Sequence, residues 1–118
     1  MANSVLVLIS KPPYGLEEAF AGLRMALAMG VNGMKTSVVL LEEGVYNAVG
    51  SQKAEVLKMP SNIDATKELY DFDIPVYVVK EDLAERGIPE DRLFGGLKPV
   101  PASKIKELVV EHDLVTTF

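Results

Sequence analysis

Ser4-Val5-Leu6-Val7-Leu8-Ile9 is the stretch that decides the fold. It is a continuous apolar run, not an apolar/polar alternation, and such a strand is buried on both faces, as in parallel α/β sheets. Ser10-Lys11-Pro12-Pro13-Tyr14-Gly15 follows, and its two prolines and glycine stop the strand. The spacing then turns helical. Leu16, Ala19, Phe20, Leu23, Ala26 and Leu27 recur three and four apart and form one apolar stripe. A helix over Leu16 to Met29 is expected, with Gly15 as N-cap, Glu17 and Glu18 in the first turn where the helix dipole favours acids, and Gly30 and Gly33 as stops.

Further along, Lys35 to Glu42 carries Ser37-Val38-Val39-Leu40-Leu41, a second buried strand. Glu42-Glu43-Gly44-Val45-Tyr46 opens directly at its C-terminal end, with a short helix expected around Val45 to Ala48. From Asn47 to Pro60 the pattern weakens into an irregular piece. Ser61, with Asp64 three residues on, resembles a capping box and predicts a helix to about Asp71, with Ile63, Thr66 and Tyr70 inward. Val76 to Val79 is a short strand of β-formers behind Pro75. Glu81 to Arg86 is a helical turn or two closed by Gly87. A short strand is expected near Leu93, and Gly95-Gly96 and Pro99-Val100-Pro101 read as loop. Ala102, Ile105, Leu108 and Val109 stripe a last helix, and Leu114 to Phe118 is a final strand. Strands and helices alternate, which predicts an α/β three-layer sandwich: a five-stranded, mainly parallel sheet covered on both faces by right-handed crossovers.

The 118 residues suffice for one domain with its own core, residues 1–118, and 48% apolar and 25% charged content are globular values. No apolar run reaches the ~20 residues that cross a bilayer. The start lacks the basic region and long apolar core of a signal peptide, so a cytoplasmic protein is expected, without membrane partners. There is no cysteine, which removes disulfides, thiolate metal sites, cysteine nucleophiles and persulfide chemistry on this chain. A single histidine cannot build a multi-histidine metal site, and a net charge of −5 argues against direct nucleic-acid binding.

Ligands of open α/β sheets bind at the carboxyl ends of the strands. Lys11, Tyr14, Gly15, Glu43, Gly44, Tyr46, Val79 and Lys80 lie there and form the candidate ligand-binding set. A dinucleotide loop is absent, since Lys-Pro-Pro-Tyr-Gly replaces the glycine-rich turn and two prolines withhold backbone donors from a phosphate. Lys11 is then an anion contact or a solvated loop lysine. The pairs Glu42/Glu43, Glu81/Asp82 and Glu90/Asp91 read as helix-start charges or a solvated face; the first strand ends in Ser10-Lys11, unlike an acidic magnesium pocket. His112 has no nominated nucleophile partner and reads as a charge at a helix C-terminus. Tyr70, Phe72 and Tyr77 read as core or interface aromatics. No metal and no cofactor is expected. An enzyme using Lys11, Tyr14, Glu43 or His112 ranks last, because no nucleophile–base pair can be assembled.

Several pieces together resemble a known family: Leu69-Tyr70-Asp71-Phe72, Val76 to Val79 and Leu83-Ala84-Glu85-Arg86-Gly87-Ile88. Pro13-Tyr14-Gly15, Gly22-Leu23, Ala26-Leu27-Ala28, Glu43-Gly44-Val45-Tyr46, Gly50-Ser51-Gln52-Lys53 and the close from His112 to Phe118 add to them in order. The chain resembles the DsrE/DsrF superfamily of sulfur-relay proteins, most closely its DsrF-like branch of TusC-type subunits. The resemblance implies trimers or hexamers, as a homo-oligomer or as a hetero-oligomer with related cysteine-bearing subunits. It implies sulfur passed as a persulfide, towards tRNA 2-thiolation or in sulfur oxidation. It also puts the sulfur-carrying cysteine of such subunits near the end of the third main strand, which here is Val79 beside Lys80. Valine cannot hold a persulfide. The expected role is therefore a non-catalytic subunit that supports an assembly, the alternative being a small-molecule or nucleotide binding module at the strand ends.

Overall fold

Every pairing in the five-stranded sheet is parallel, in the order β4-β3-β2-β1-β5. The computed structural model describes residues 3–11, 18–48, 69, 71–93 and 97–118. Strand β1 (Ser4–Ile9) leads to helix α1 (Glu18–Val31), then β2 (Lys35–Leu40) and a 3-10 helix (Glu42–Ala48). Strand β3 (Val76–Val79) runs straight into α2 (Lys80–Glu85). A short 3-10 turn (Glu90–Arg92), β4 (Lys98–Val100), α3 (Ser103–Glu111) and β5 (Leu114–Thr117) complete the described elements.

The strand order explains which helix lies on which face. From β1 to β2 to β3 to β4 each step moves the same way across the sheet, and right-handed crossovers then put the connections on one face. On that first face, Leu23 and Ala26 of α1, Leu83 of α2 and Leu69 share a buried core with Val5, Val7, Ile9, Val38, Leu40, Val76 and Val78. The step from β4 back to β5 moves the opposite way, so α3 crosses the second face. There Leu108 is buried with Leu6, Val39 and Val79, and Ile105 packs beside them. Helices on both faces explain why the strands read as unbroken apolar runs: consecutive residues alternate between two buried layers.

The strands β1 to β3 fall where their apolar runs put them, β2 ending at Leu40 rather than Glu42. Helix α1 extends to Val31, through Gly30, and ends where Gly33 takes φ 91° while Gly33 and Met34 return their N–H groups to Gly30 and Met29. Gly87 closes α2 in the same manner, at φ 65°, with Gly87 and Ile88 bonding back to Ala84 and Leu83. The segment Pro99-Val100-Pro101, read as loop, instead supplies Pro99 and Val100 to β4, an outer strand where a missing N–H is tolerated. Leu93 forms a single bridge and not a strand. The expectations for Tyr14, Gly15 and the helix before Leu69 lie outside the described residues, while Leu69 and Asp71 are helical. Phe72 is half exposed, so it is not a core aromatic of this chain.

His112 stands at the C-terminal end of α3, where the sequence puts it, and is tied to a neighbouring strand as well. Its ring is buried, with Nδ1 2.6 Å from the Leu108 carbonyl and Nε2 3.1 Å from the Ser37 hydroxyl. The imidazole is a polar tie between α3 and β2 on the second face.

Candidate functional site at the strand ends

The carboxyl ends of β1, β2 and β3 are bound together by polar contacts. Glu42 begins the 3-10 helix in a left-handed backbone conformation, φ 52°, which is rare for a residue with a side chain. Its N–H donates to Asp82 Oδ2 at 2.7 Å, a charge-assisted bond from the end of β2 to α2. Asp82 also engages Arg86, whose Nη1 donates to the Asp82 carbonyl at 3.2 Å and lies 3.8 Å from Oδ1. Asp82 is therefore more than a helix-start charge.

Gly44 is buried at this junction. A Cβ there would overlap the Ile9 carbonyl oxygen, so the 3-10 helix sits flush against the end of β1 only because position 44 lacks a side chain. Asn47, fully buried, completes the seam: its Nδ2 donates to the Lys11 carbonyl at 3.0 Å and to the Gly44 carbonyl at 2.9 Å. The Lys11 residue itself is exposed.

Above this seam lies an open cleft of about 460 Å³ with Glu43, Tyr46, Glu85 and Arg86 on its walls. Two candidates from the sequence, Glu43 and Tyr46, are thus brought together, three residues apart on one side of the 3-10 helix. Gly44 is buried on the same 3-10 helix and does not line the cleft among the described residues. Val79 does not reach it: with 2% exposure it points into the second-face core, and Lys80, exposed, starts α2. Tyr14 and Gly15 lie outside the described residues. Sequence reasoning missed Glu85, Arg86, Asp82 and Asn47 as site residues. The first two follow from a short helix packing on a short 3-10 turn, a pairing that no linear motif announces.

Chemically the cleft offers two carboxylates, a phenol and a guanidinium. Arg86 Nη1 lies 3.5 Å from Glu85 Oε2, so its charge is partly met within the cleft wall. Among the described residues, no group of three or more His, Asp or Glu could hold a metal ion, and no helix is long and apolar enough to cross a membrane.

The class defined by this architecture is a three-layer α/β domain with helices on both faces of a parallel sheet. The DsrE/DsrF-like family profile matches residues 3–118, and the chain belongs to that family. It is 32% identical over 112 residues to an uncharacterised protein of Methanocaldococcus jannaschii, covering 95% of this chain and 96% of that one. It is 25% identical over 121 residues to a TusC homolog of Pseudomonas aeruginosa, covering both chains fully. The intracellular sulfur oxidation protein DsrF of Allochromatium vinosum is 24% identical over 133 residues, with 100% of this chain and 98% of that one covered. The crystal structure of the YchN protein from E. coli superimposes with a TM-score of 0.83 at 24% identity, over the whole of both chains, and shares the fold.

Proposed function

We propose that this chain is a structural subunit of a sulfur-relay assembly of the DsrE/DsrF-like kind, one that shapes the complex without carrying sulfur. The observation that carries the reading is the pairing of a family match over residues 3–118 with 118 residues that contain no cysteine. A persulfide is a sulfur atom bonded to a cysteine sulfur. The methyl groups of Val79 and the ammonium of Lys80 supply no such atom, and Val79 is sealed in the core besides. The cargo must then ride on a related chain, in tRNA 2-thiolation or in sulfur oxidation, and a cytoplasmic setting fits either. Affinity purification of the tagged chain from its native extract tests the reading. Recovery of a cysteine-bearing relative in defined stoichiometry is expected, and recovery of the chain with no such relative overturns it.

The cleft favours a second reading, a binding module for a small molecule with hydrogen-bond donors or positive charge opposite Glu43 and Glu85. Ligands that bind the folded state raise its melting temperature by mass action. A thermal-shift screen that finds a ligand whose effect is lost in Glu43→Gln and Tyr46→Phe would support it. No shift across metabolites, nucleotides and sulfur compounds would leave the scaffold reading alone.

A further inference from the structure

Helix α3 lacks a start signal of its own. Its N-cap position is Ala102, which has no side-chain oxygen to offer, and its first turn contains no acidic residue. Lys104 and Lys106 stand there instead, at the end where the helix dipole disfavours cations. Glu107 pairs with the Lys104 ammonium at 3.1 Å, which offsets one of the two charges. The missing acceptor comes from α2. The Ala102 N–H donates to the Glu81 carboxylate, 2.9 Å from Oε1 and 3.0 Å from Oε2, across 21 residues. This charge-assisted bond also sets a negative charge against the positive end of α3. Among the described residues α3 is the helix that covers Leu6, Val39 and Val79 on the second face, through Leu108 and Ile105. The cover of that face therefore hangs from a residue of α2.

Asp82, the next residue, holds a different part of the molecule. Its Oδ2 takes the Glu42 N–H at 2.7 Å, at the end of β2, and so positions the 3-10 helix that carries Glu43 and Tyr46. Leu83, the next again, is buried in the first-face core. Three consecutive residues of one helical turn thus fasten three separate elements. The helix has only six residues, and its backbone fixes the directions of consecutive side chains relative to one another. Tilting α2 to release one carboxylate displaces the other. The Glu42 joint also has somewhere to go. Its left-handed conformation, φ 52°, is uphill for a residue with a side chain, so freeing its N–H favours a return to the right-handed region. A held turn and a relaxed one are two discrete arrangements, which is what coupling between sites requires.

We propose that the first turn of α2 is a two-armed clamp that couples the cleft to the second face of the sheet. When Asp82 releases the 3-10 helix, Glu81 loses its aim on Ala102 and the start of α3 loosens. When Ala102 leaves Glu81, the cleft wall loosens in turn, since coupling between two sites is reciprocal. A molecule seated between Glu43 and Tyr46 on one wall and Glu85 and Arg86 on the other bears on both sides of the Asp82–Glu42 bond. Its presence is then felt at a helix across the sheet. That use is regulation of the cleft and rests on the binding-module reading above; the clamp itself does not.

Amide hydrogen exchange in the full chain reads the clamp with no ligand present. Asp82→Ala should speed exchange at Ala102 and Ile105, and Glu81→Ala should speed it at Glu42, each by about fivefold, within the range for residues that share a network. The Met34 amide, bonded to the Met29 carbonyl at the C-terminal end of α1, controls for general loss of stability and should keep its rate. In urea unfolding, the combined effect of both substitutions on the unfolding equilibrium constant should fall about fivefold short of the product of the single effects. Glu81→Gln and Asp82→Asn, which keep size and one acceptor oxygen, should repeat the cross-effects in smaller measure, and they serve if an alanine variant does not fold. Exchange that rises only at the amide directly released, or single effects that simply multiply, overturns the coupling. Neither outcome bears on recovery of a cysteine-bearing relative or on the thermal-shift screen, because no partner and no ligand enters the experiment.

Discussion

The His112 ring and the Ser37 hydroxyl are hydrogen-bonded across 75 residues of sequence, with Nε2 3.1 Å from Oγ. The Leu108 carbonyl can only accept, so Nδ1 donates to it, 2.6 Å away. Both side chains are buried, and the pair fastens the end of α3 to β2. Ser37→Ala should destabilise the domain by about 1–3 kcal/mol, the cost of a buried polar group left without its partner. His112→Ala should cost more, since it also empties its site. Urea unfolding should show lower midpoints at unchanged slope.

Two glycines should respond unequally to alanine. At Gly44 the added carbon meets the Ile9 carbonyl oxygen, which belongs to a central strand and cannot move aside. At Gly30 it meets the tip of the Ile74 side chain, which can rotate. Gly30→Ala should cost about 1–2 kcal/mol, in the range of modest overpacking, and Gly44→Ala clearly more. Thermal melting of the two variants in parallel gives the order, and equal losses would contradict the close approach at Gly44.

Asp82 holds Glu42 in its left-handed conformation through the 2.7 Å bond to the Glu42 amide. Asp82→Ala should cost about 1.5–3 kcal/mol, the range for a hydrogen bond to a charged group. The Glu42 amide should then exchange hydrogen faster than in the parent. Asp82→Asn, which keeps an acceptor oxygen, should lie between them. Unaltered exchange in the alanine variant would show that the bond does not restrain the turn.

Position 79 offers a test of cargo chemistry. Val79→Cys puts a thiol where exposure is 2%, so disulfide reagents should attack it slowly. Lys80→Cys puts one at the exposed start of α2 and should react at the rate of a free surface thiol. If the two rates coincide, the account of Val79 as sealed core is wrong.

Much of this arrangement was legible in residue order. The apolar runs at Ser4–Ile9, Lys35–Leu40 and Val76–Val79 can only be strands buried on both sides, and their alternation with helical stripes leaves a doubly covered parallel sheet. The final helix was visible from the stripe of Ala102, Ile105, Leu108 and Val109, and the final strand from the weak alternation of Leu114 to Phe118. Strand β4 was hidden because Pro99 and Pro101 read as turn punctuation, a signal that an outer strand of three residues overrides. The tie from His112 to β2 was hidden because its partner Ser37 is distant in sequence and ordinary in type. At the cleft, Glu43 and Tyr46 could be nominated from their position after β2, since strand ends are where such sheets open. Glu85 and Arg86 could not, because their place depends on the angle at which α2 meets the 3-10 helix, which no local pattern encodes.

The strand order has a consequence for synthesis. Strand β1 ends up inside the sheet, between β2 and β5, so the segment that leaves the ribosome early waits for its second neighbour until residues beyond Leu114 have emerged. Until then one side of Ser4–Ile9, the most apolar strand in the chain, stays open to stray pairing. Contacts that close across more than a hundred residues also slow folding. Production of this protein should therefore be sensitive to translation rate and to chaperone supply, and C-terminal truncations that remove β5 should accumulate as aggregates.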